Sequence, residues 1–354
     1  MKHIYDTLTE KALNNTPLSL DESLAILEDS SLDTIQLLNA AYQVRYTHFQ
    51  KKVTIHVLNN TQNGYCPEDC GYCAQNKTSE AKIDPYKIKN KDQIMLEAKK
   101  AHESGAHRYC MVFSGRGPNN KRTQDLANLI KTIKATYPIE VCLSAGLLDN
   151  EKAKILKDSG LDRLNHNLNT SESHYESICS THTYEDRLET LSAGKNAGLQ
   201  LCSGIIIGMK ETPTDIVNVA TKLNELKVES VPVNFLLPIP GTKLENVHTL
   251  TPDICLRTLC LFRFTNPTVE LRVAAGREYH LRQTQVLSLL PANSIFMEGY
   301  LNTLGTSVTE TLQMIKDGGF EIESDYDLDS LLNPTAKKAS PTLKTKKDLH
   351  PVDA

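Results

Sequence analysis

Tyr65-Cys66-Pro67-Glu68-Asp69-Cys70-Gly71-Tyr72-Cys73-Ala74-Gln75 is the stretch from which the rest of this chain is read. Its three cysteines fall as Cys-x-x-x-Cys-x-x-Cys, in a loop entered through Gly64 and carrying Pro67 and Gly71. Three thiolates at such short spacing let one loop wrap three corners of a cubane iron-sulfur cluster. The fourth iron is then left open to chelate a small molecule. A structural zinc site is the alternative, but it needs four ligands, usually from paired knuckles, and the chain has no second knuckle. Asp69 or a distant histidine remains as its completing ligand. Chance clustering of core cysteines fits poorly, because Pro, Glu, Asp and Gly between them suit an exposed loop.

The chain has 354 residues, 40% of them hydrophobic, enough for one large core or two modest ones. A formal net charge of −4 leaves no electrostatic footprint for nucleic acid. The first residues, Met1-Lys2-His3-Ile4-Tyr5-Asp6, contain no apolar run, so no signal peptide is expected. No segment approaches the roughly 20 apolar residues of a membrane span, so no membrane partner is expected either. Nine cysteines without an export signal point to a reducing, cytoplasmic setting in which thiols serve as ligands or buried hydrophobes.

Residues 1–50 read as a helical extension, with apolar spacing at Leu20, Leu24 and Leu27 and again at Ile35, Leu38, Ala41 and Val44. From Val53 onward, short strand-like runs alternate with helical patterns. The runs are Val53–His56, His107–Phe113, Glu140–Ser144, Arg163–Leu168, Leu199–Ile207, Ser230–Leu236, Val269–Ala274 and Ser294–Met297. Helix starts are marked by Thr183 with Asp186, Thr212-Pro213 with Asp215, and Thr251-Pro252, and glycines close helices at Gly105, Gly160 and Gly198. Eight strands over about 250 residues predict a (β/α)8 TIM-type barrel over 51–320, with a partial six-strand barrel as the alternative. Residues 321–354 form a C-terminal extension whose Lys-, Pro-, Ser- and Thr-rich end is expected to be disordered.

Strand residues alternate faces, so barrel candidates can be sorted by parity. Arg108, Cys110 and Val112 share a face, as do Glu140, Cys142 and Ser144; Asn165, Asn167 and Asn169; Gln200, Cys202 and Gly204; and Glu270 and Arg272. Cysteine thus recurs on three strands beside polar neighbours, where a barrel interior normally places branched apolar residues. The constructive reading is a second metal centre deep in the barrel. His166, between two asparagines, points outward by the same parity. Cys179, Cys255 and Cys260 match no metal position and read as core or surface thiols. Met111–Pro118 reads as a glycine-rich barrel loop.

With Tyr72 before its third cysteine, the loop resembles the signature of the radical S-adenosylmethionine (SAM) superfamily. From about residue 50 to 320 the chain further resembles the biotin synthase family. That likeness rests on Gly64–Gln75, Arg108–Met111, Asn165–Ser171, Thr183–Arg187, Cys202–Gly204, Val231–Asn234, Arg272–Glu278 and Ala292–Phe296. The resemblance implies an enzyme that converts dethiobiotin to biotin, the last step of biotin biosynthesis, with sulfur taken from an auxiliary cluster. It implies a 4Fe-4S cluster on Cys66, Cys70 and Cys73, and a 2Fe-2S cluster on Cys110, Cys142, Cys202 and Arg272. It assigns SAM to Tyr72, Asn167, Asn169, Arg187 and Ile206, and dethiobiotin to Asn165, Asn167 and Asn234. It also implies a homodimer and an electron donor such as flavodoxin or ferredoxin. The family often has aspartate where this chain has Asn169, which bears on SAM affinity. Arg272 is an unusual ligand, since a guanidinium is normally protonated, and an ion pair with Glu270 or Glu278 is its ordinary role. Other radical SAM enzymes, such as hydrogenase maturase or methylornithine synthase relatives, would not need the four auxiliary ligands together. A protein that merely binds metal would not need the inward asparagines.

Overall fold

In a computed structural model of the chain, residues 4–326, 328 and 331–332 are described; the Lys-rich stretch 333–354 lies outside them. Three helices come first, α1 (Ile4–Leu13), α2 (Leu20–Glu28) and α3 (Thr34–Phe49). Ser19 caps α2 by accepting from the Glu22 N–H while the Glu22 carboxylate reaches back to the Ser19 N–H. Nine strand segments follow in the barrel: β1 (Lys52–Gln62), β2 (Arg108–Phe113), β3 (Glu140–Ser144), β4 (Arg163–Asn165), β5 (Gln200–Cys202), β6 (Ile205–Ile207), β7 (Ser230–Phe235), β8 (Glu270–Val273) and β9 (Ser294–Phe296). The helices among them are α4 (Lys91–Glu103), α5 (Asn120–Thr136), α6 (Asn150–Asp158), α7 (Glu172–Ile178), α8 (Tyr184–Asn196), α9 (Pro213–Leu226), α10 (Pro252–Thr265) and α11 (Arg277–Leu281). A hairpin of β10 (Gly299–Tyr300) and β11 (Thr303–Leu304), helix α12 (Val308–Asp317) and strand β12 (Glu321–Glu323) end the described fold.

All barrel pairings are parallel, and β9 pairs back onto β1 through Thr54–Ser294 to His56–Phe296, which closes the ring. The ring has eight positions because β5 and β6 are two halves of the fifth strand. The apolar run 199–207 is interrupted at Ser203-Gly204, where a Cβ on Gly204 would stand 1.9 Å from the Pro232 carbonyl oxygen. Only glycine lets the chain touch β7 so closely. The expected helix starts also form: Thr183 and Thr212 complete reciprocal caps with Asp186 and Asp215, and Thr251 caps α10 ahead of Pro252.

One strand face turns outward to the helices. Ile55, Tyr109, Met111, Val141 and Leu143 pack on α4–α6, while Leu201, Ile207, Val231, Val233 and Leu271 join the core shared with α9, α10 and the first three helices. Each such side chain contributes about 1.5–3 kcal/mol on full burial. Arg257 in α10 fastens the preface to this core: its guanidinium donates to Ile26 O at 3.1 Å, Asp29 O at 3.2 Å and Leu32 O.

The inward face is polar. At its floor Glu270 accepts from Arg163 at 2.7 Å, Ser294 Oγ at 2.9 Å, Arg108 at 3.1 Å and Arg272. His56 Nε2 lies 2.9 Å from the same carboxylate, and Arg108 Nη1 approaches His56 Nδ1 at 3.3 Å. The network therefore assigns a neutral imidazole that donates through Nε2. Burial holds His56 below its usual range, with Arg272 adding to the effect. Burial opposes ionisation of Glu270 too, but Arg272, His56, Arg108 and Arg163 together hold its carboxyl well below the usual range.

Two stability outcomes follow from these anchors. Arg257→Ala strands three carbonyls, two of them between buried groups, and is expected to cost about 2 kcal/mol, read as a lower urea midpoint. Glu270→Gln leaves three guanidinium groups without their common counter-charge and is expected to cost about 3–5 kcal/mol. Because the folded-state pKa of Glu270 lies below the unfolded one, its stabilisation is complete above about pH 4.3 and is lost as pH falls further. Urea midpoints between about pH 6 and pH 3 should accordingly fall less steeply in the Gln variant than in the wild type.

Candidate active site

The cysteine loop leaves the C-terminal end of β1, at the barrel mouth. Gly64 has φ +73°, and a Cβ there would meet the Pro85 Cβ at 2.9 Å. Side chains pin the loop shape: Gly64 N–H donates to Gln75 Oε1 at 3.0 Å, and Asn76 Nδ2 donates to Cys70 O at 2.8 Å. Glu68 accepts from Thr181 Oγ1 at 2.6 Å and pairs with His182 Nδ1 at 2.7 Å. Burial raises the Asp69 pKa, but hydrogen bonds from Ser180, Cys179 and Thr181 overcome it and hold the carboxyl well below its usual range.

Cys66, Cys70 and Cys73 all line one cavity of about 270 Å³. Burial pushes the Cys73 thiol up to about 11 and raises Cys66; at Cys70 a hydrogen bond with Cys179 raises it first and burial adds. In the metal-free chain these thiols keep their protons, which a metal displaces on binding. Three soft donors converging on one cavity fit a three-thiolate iron-sulfur cluster. The zinc alternative fits less well. His182 does approach the loop, and donor atoms of Cys70, Cys179 and His182 lie within 4.8 Å of one another. Yet Nε2 accepts from Arg187 at 2.7 Å, so the nitrogen nearer Cys179, Nδ1, carries the proton and donates to Glu68 at 2.7 Å, and neither ring lone pair is free for a dication.

The same cavity is lined by Tyr72, Asn165, Asn167, Asn169, Arg187, Ile206 and Asn234. Asn169 has φ +70° and donates through Nδ2 to Tyr72 Oη at 2.6 Å. Its backbone pairs with Gly204 and Ile206, so the segment after β4 meets the fifth strand at this residue. Arg187 is buried, donates to Asn167 O at 2.8 Å and to Tyr175 Oη, and keeps a raised pKa because Tyr72, Tyr175 and Cys70 outweigh the burial cost. Asn234 uses its amide to bridge Ile205 O at 2.9 Å and Ala275 N–H at 3.2 Å, which fixes its rotamer.

Deeper in the barrel, Cys110 and Cys142 are register partners on β2 and β3 and are buried with Ala274 and Phe296. Cys110 gives up its proton more readily than an ordinary thiol, because Cys142 donates to it and His56 and Arg272 lie near; Cys142 is raised as the donor of that pair. Cys202 Sγ lies 3.8 Å from Arg272 Nη1 and accepts from Asn165 Nδ2 at 3.2 Å. The other Arg272 nitrogens are spent on Ser294 at 3.0 Å, Ser230 at 3.1 Å and Glu270. Arg272 thus makes its Glu270 ion pair and still faces the thiol through Nη1. Arg277, in contrast, pairs with Glu278 at 2.6 Å and with Gln285.

Three placements depart from the sequence reading or escaped it. His166 does not point out of the site: it lines the cavity, with Nε2 buried and unpartnered among the described residues. Strand β4 ends at Asn165, so alternation stops before His166; burial, with Arg187 and His182, holds the ring well below its usual pKa and therefore neutral. Cys179 is no detached thiol but lies 3.8 Å from Cys70 Sγ, whereas Cys255 and Cys260 are buried in α10. The hairpin after β9 sends Tyr300 into the interval between the two cysteine sets, touching the Cys110–Cys142 cluster and lining the cavity. A two-residue strand leaves no periodic signal, so parity had no means of finding it. Of Met111–Pro118, read as a loop, the first three residues belong to β2; Val112 and Phe113 from the strand and Ser114, Gly115 and Arg116 from the loop after it line the cavity wall.

The chain is similar to known proteins. The sequence pattern of the radical SAM superfamily matches residues 63–223, and that of the Biotin and Thiamin Synthesis associated domain matches residues 232–321. Biotin synthase of Acaryochloris marina is 52% identical over 315 residues, 89% of this chain and 91% of the relative. Biotin synthase of Magnetococcus marinus is 52% identical over 89% of this chain and 98% of its own. Among solved structures, methylornithine synthase superposes with a TM-score of 0.79 at 18% identity, over 92% of this chain and all of that one (100%). The FeFe-hydrogenase maturase from Carboxydothermus hydrogenoformans gives 0.76 at 17% identity, over 90% of this chain and 79% of its own. At those identities the superpositions speak for the closed barrel alone, whereas identity near one half over almost the whole length speaks for descent: the chain belongs to the biotin synthase family of radical SAM proteins.

Proposed function

We propose that this protein is a biotin synthase that converts dethiobiotin to biotin in a SAM-dependent radical reaction. The observation that carries the reading is Asn165, whose amide lines the cavity of the three loop thiols and donates to Cys202 Sγ in the deeper set. Cys66, Cys70 and Cys73 would hold a 4Fe-4S cluster, and Cys110, Cys142, Cys202 and Arg272 a 2Fe-2S cluster; bound there, the first would supply the electron for cleavage of SAM into methionine and an adenosyl radical, and the second would supply the sulfur. The protein's part is to bind, orient and exclude water. Arg187, cationic inside the wall, takes the SAM carboxylate as a charge-assisted pair. Tyr72 and Ile206 flank the adenine, Asn169 meets the ribose, and Asn167 lies between SAM and dethiobiotin. Asn165 and Asn234 offer amides to the ureido ring without adding charge, Asn234 through a rotamer its backbone partners hold still.

The chain divides in this reading into 1–50, a helical extension, 51–320, the barrel, and 321–354, the C-terminal extension. It works in the cytoplasm as a homodimer, with flavodoxin or ferredoxin as electron donor. No described helix is long and apolar enough to cross a membrane.

Mössbauer spectra of anaerobically reconstituted wild type should contain two cluster types, and the protein should make biotin from dethiobiotin, SAM and reductant. The Cys110→Ala, Cys142→Ala, Cys202→Ala triple variant should keep the 4Fe-4S signal alone and make none. A wild type with one cluster that cleaves SAM yet makes no biotin would overturn the substrate assignment. Asn169→Asp, which replaces a neutral acceptor by a charged one, is expected to tighten SAM binding by roughly 3- to 10-fold in equilibrium dialysis.

A further inference from the structure

We propose that Cys70 and Cys179 form a reversible disulfide when the loop carries no iron, so that Cys179 is the redox partner of a cluster ligand. The two residues are 109 apart in sequence, yet their sulfurs lie 3.8 Å apart. Both flanks of the pair are already fastened. Gly71 N–H donates to Ile178 O at 2.8 Å, and the Asp69 carboxylate accepts from the Ser180 and Thr181 N–H groups at 3.0 and 3.2 Å. A disulfide needs its Cα atoms within roughly 4.4–6.8 Å of one another, which two segments fastened on both sides of the pair favour. Side-chain rotation then closes the gap to the S–S bond length of about 2.05 Å.

The oxidant is a hydroperoxide, small enough for the cavity that Cys70 lines. With hydrogen peroxide, one sulfur of the pair attacks one oxygen and the O–O bond breaks. That cysteine becomes a sulfenic acid, and the other oxygen leaves with the thiol proton as water. The second sulfur then attacks the first, the S–S bond forms, the S–O bond breaks, and the departing hydroxide takes the second thiol's proton as a second water. Two sulfurs lose two electrons and the peroxide gains them. Without Cys179, the sulfenic acid is open to further oxidation to the sulfinic state, which ordinary thiols do not reverse. Cluster and disulfide exclude one another because both use the Cys70 sulfur; that consequence rests on Cys70 being a cluster ligand, whereas the disulfide does not.

The test oxidises the full-length, iron-stripped chain with dilute hydrogen peroxide, blocks free thiols, and maps peptides without reduction. The expected result is a Cys70–Cys179 linked peptide as the main disulfide, absent from chain that carries its iron. After dithiothreitol, wild type should take up iron and sulfide to nearly the unchallenged level. Challenged Cys179→Val should carry oxidised Cys70 and recover less than about half. Unchallenged Cys179→Val, loaded in parallel, separates a folding defect from an oxidation defect, and the wild-type map stands without the variant. A wild-type map in which Cys70 pairs with Cys66 or Cys73, or stays unpaired, overturns the proposal. A chain that forms the linked peptide but never takes a cluster sustains the disulfide and sinks the cluster reading instead.

Discussion

The Glu270 carboxylate, set among Arg108, Arg163, Arg272 and His56 at the floor of the barrel, is the interaction on which the site depends. Buried guanidinium groups are costly unless paired, and one carboxylate on β8 serves arginines from β2, β4 and its own strand. It orients Arg272 so that Nε, Nη2 and the ring face of Phe296 are all engaged and Nη1 is left toward Cys202. Parallel strands make this possible because register puts residues from distant parts of the chain at one depth, as with Cys110 opposite Cys142 and Pro232 opposite Arg272.

Above the floor the interior changes from charge to amide. Asn165 links a deep thiol to the cavity, Asn167 lends its carbonyl to Arg187, and Asn169 meets Tyr72 of the cysteine loop. This column crosses the gap between the two thiol sets without adding a formal charge. The loop above is held from outside, by Glu68 and Asp69 to the segment after α7, so the thiols are positioned before any metal arrives. Preorganisation of this kind lowers the entropy that a cluster must overcome on binding.

Substantial parts of this arrangement were legible before the structure. The loop spacing, the helix caps at Thr183, Thr212 and Thr251, and the face-sharing of Arg108 with Cys110 are local features, and local rules of spacing and alternation reach them. His166 was misread where alternation ended with β4, and Cys179 was passed over because its partner lies over a hundred residues away.

Sequence alone determined the chemistry on offer: three thiols in a tight loop, three more on strands, an asparagine series, and an alternation of strands and helices that permits a closed barrel. Likeness to known families named the reaction. Tertiary structure decided which groups meet. It interrupted the fifth strand at Ser203-Gly204, where only a residue without a Cβ fits against Pro232, brought Tyr300 between the two thiol sets, and set Cys179 against Cys70. Such contacts arise from closure of the ring and from loops crossing its mouth, and neither leaves a period that a single sequence can display.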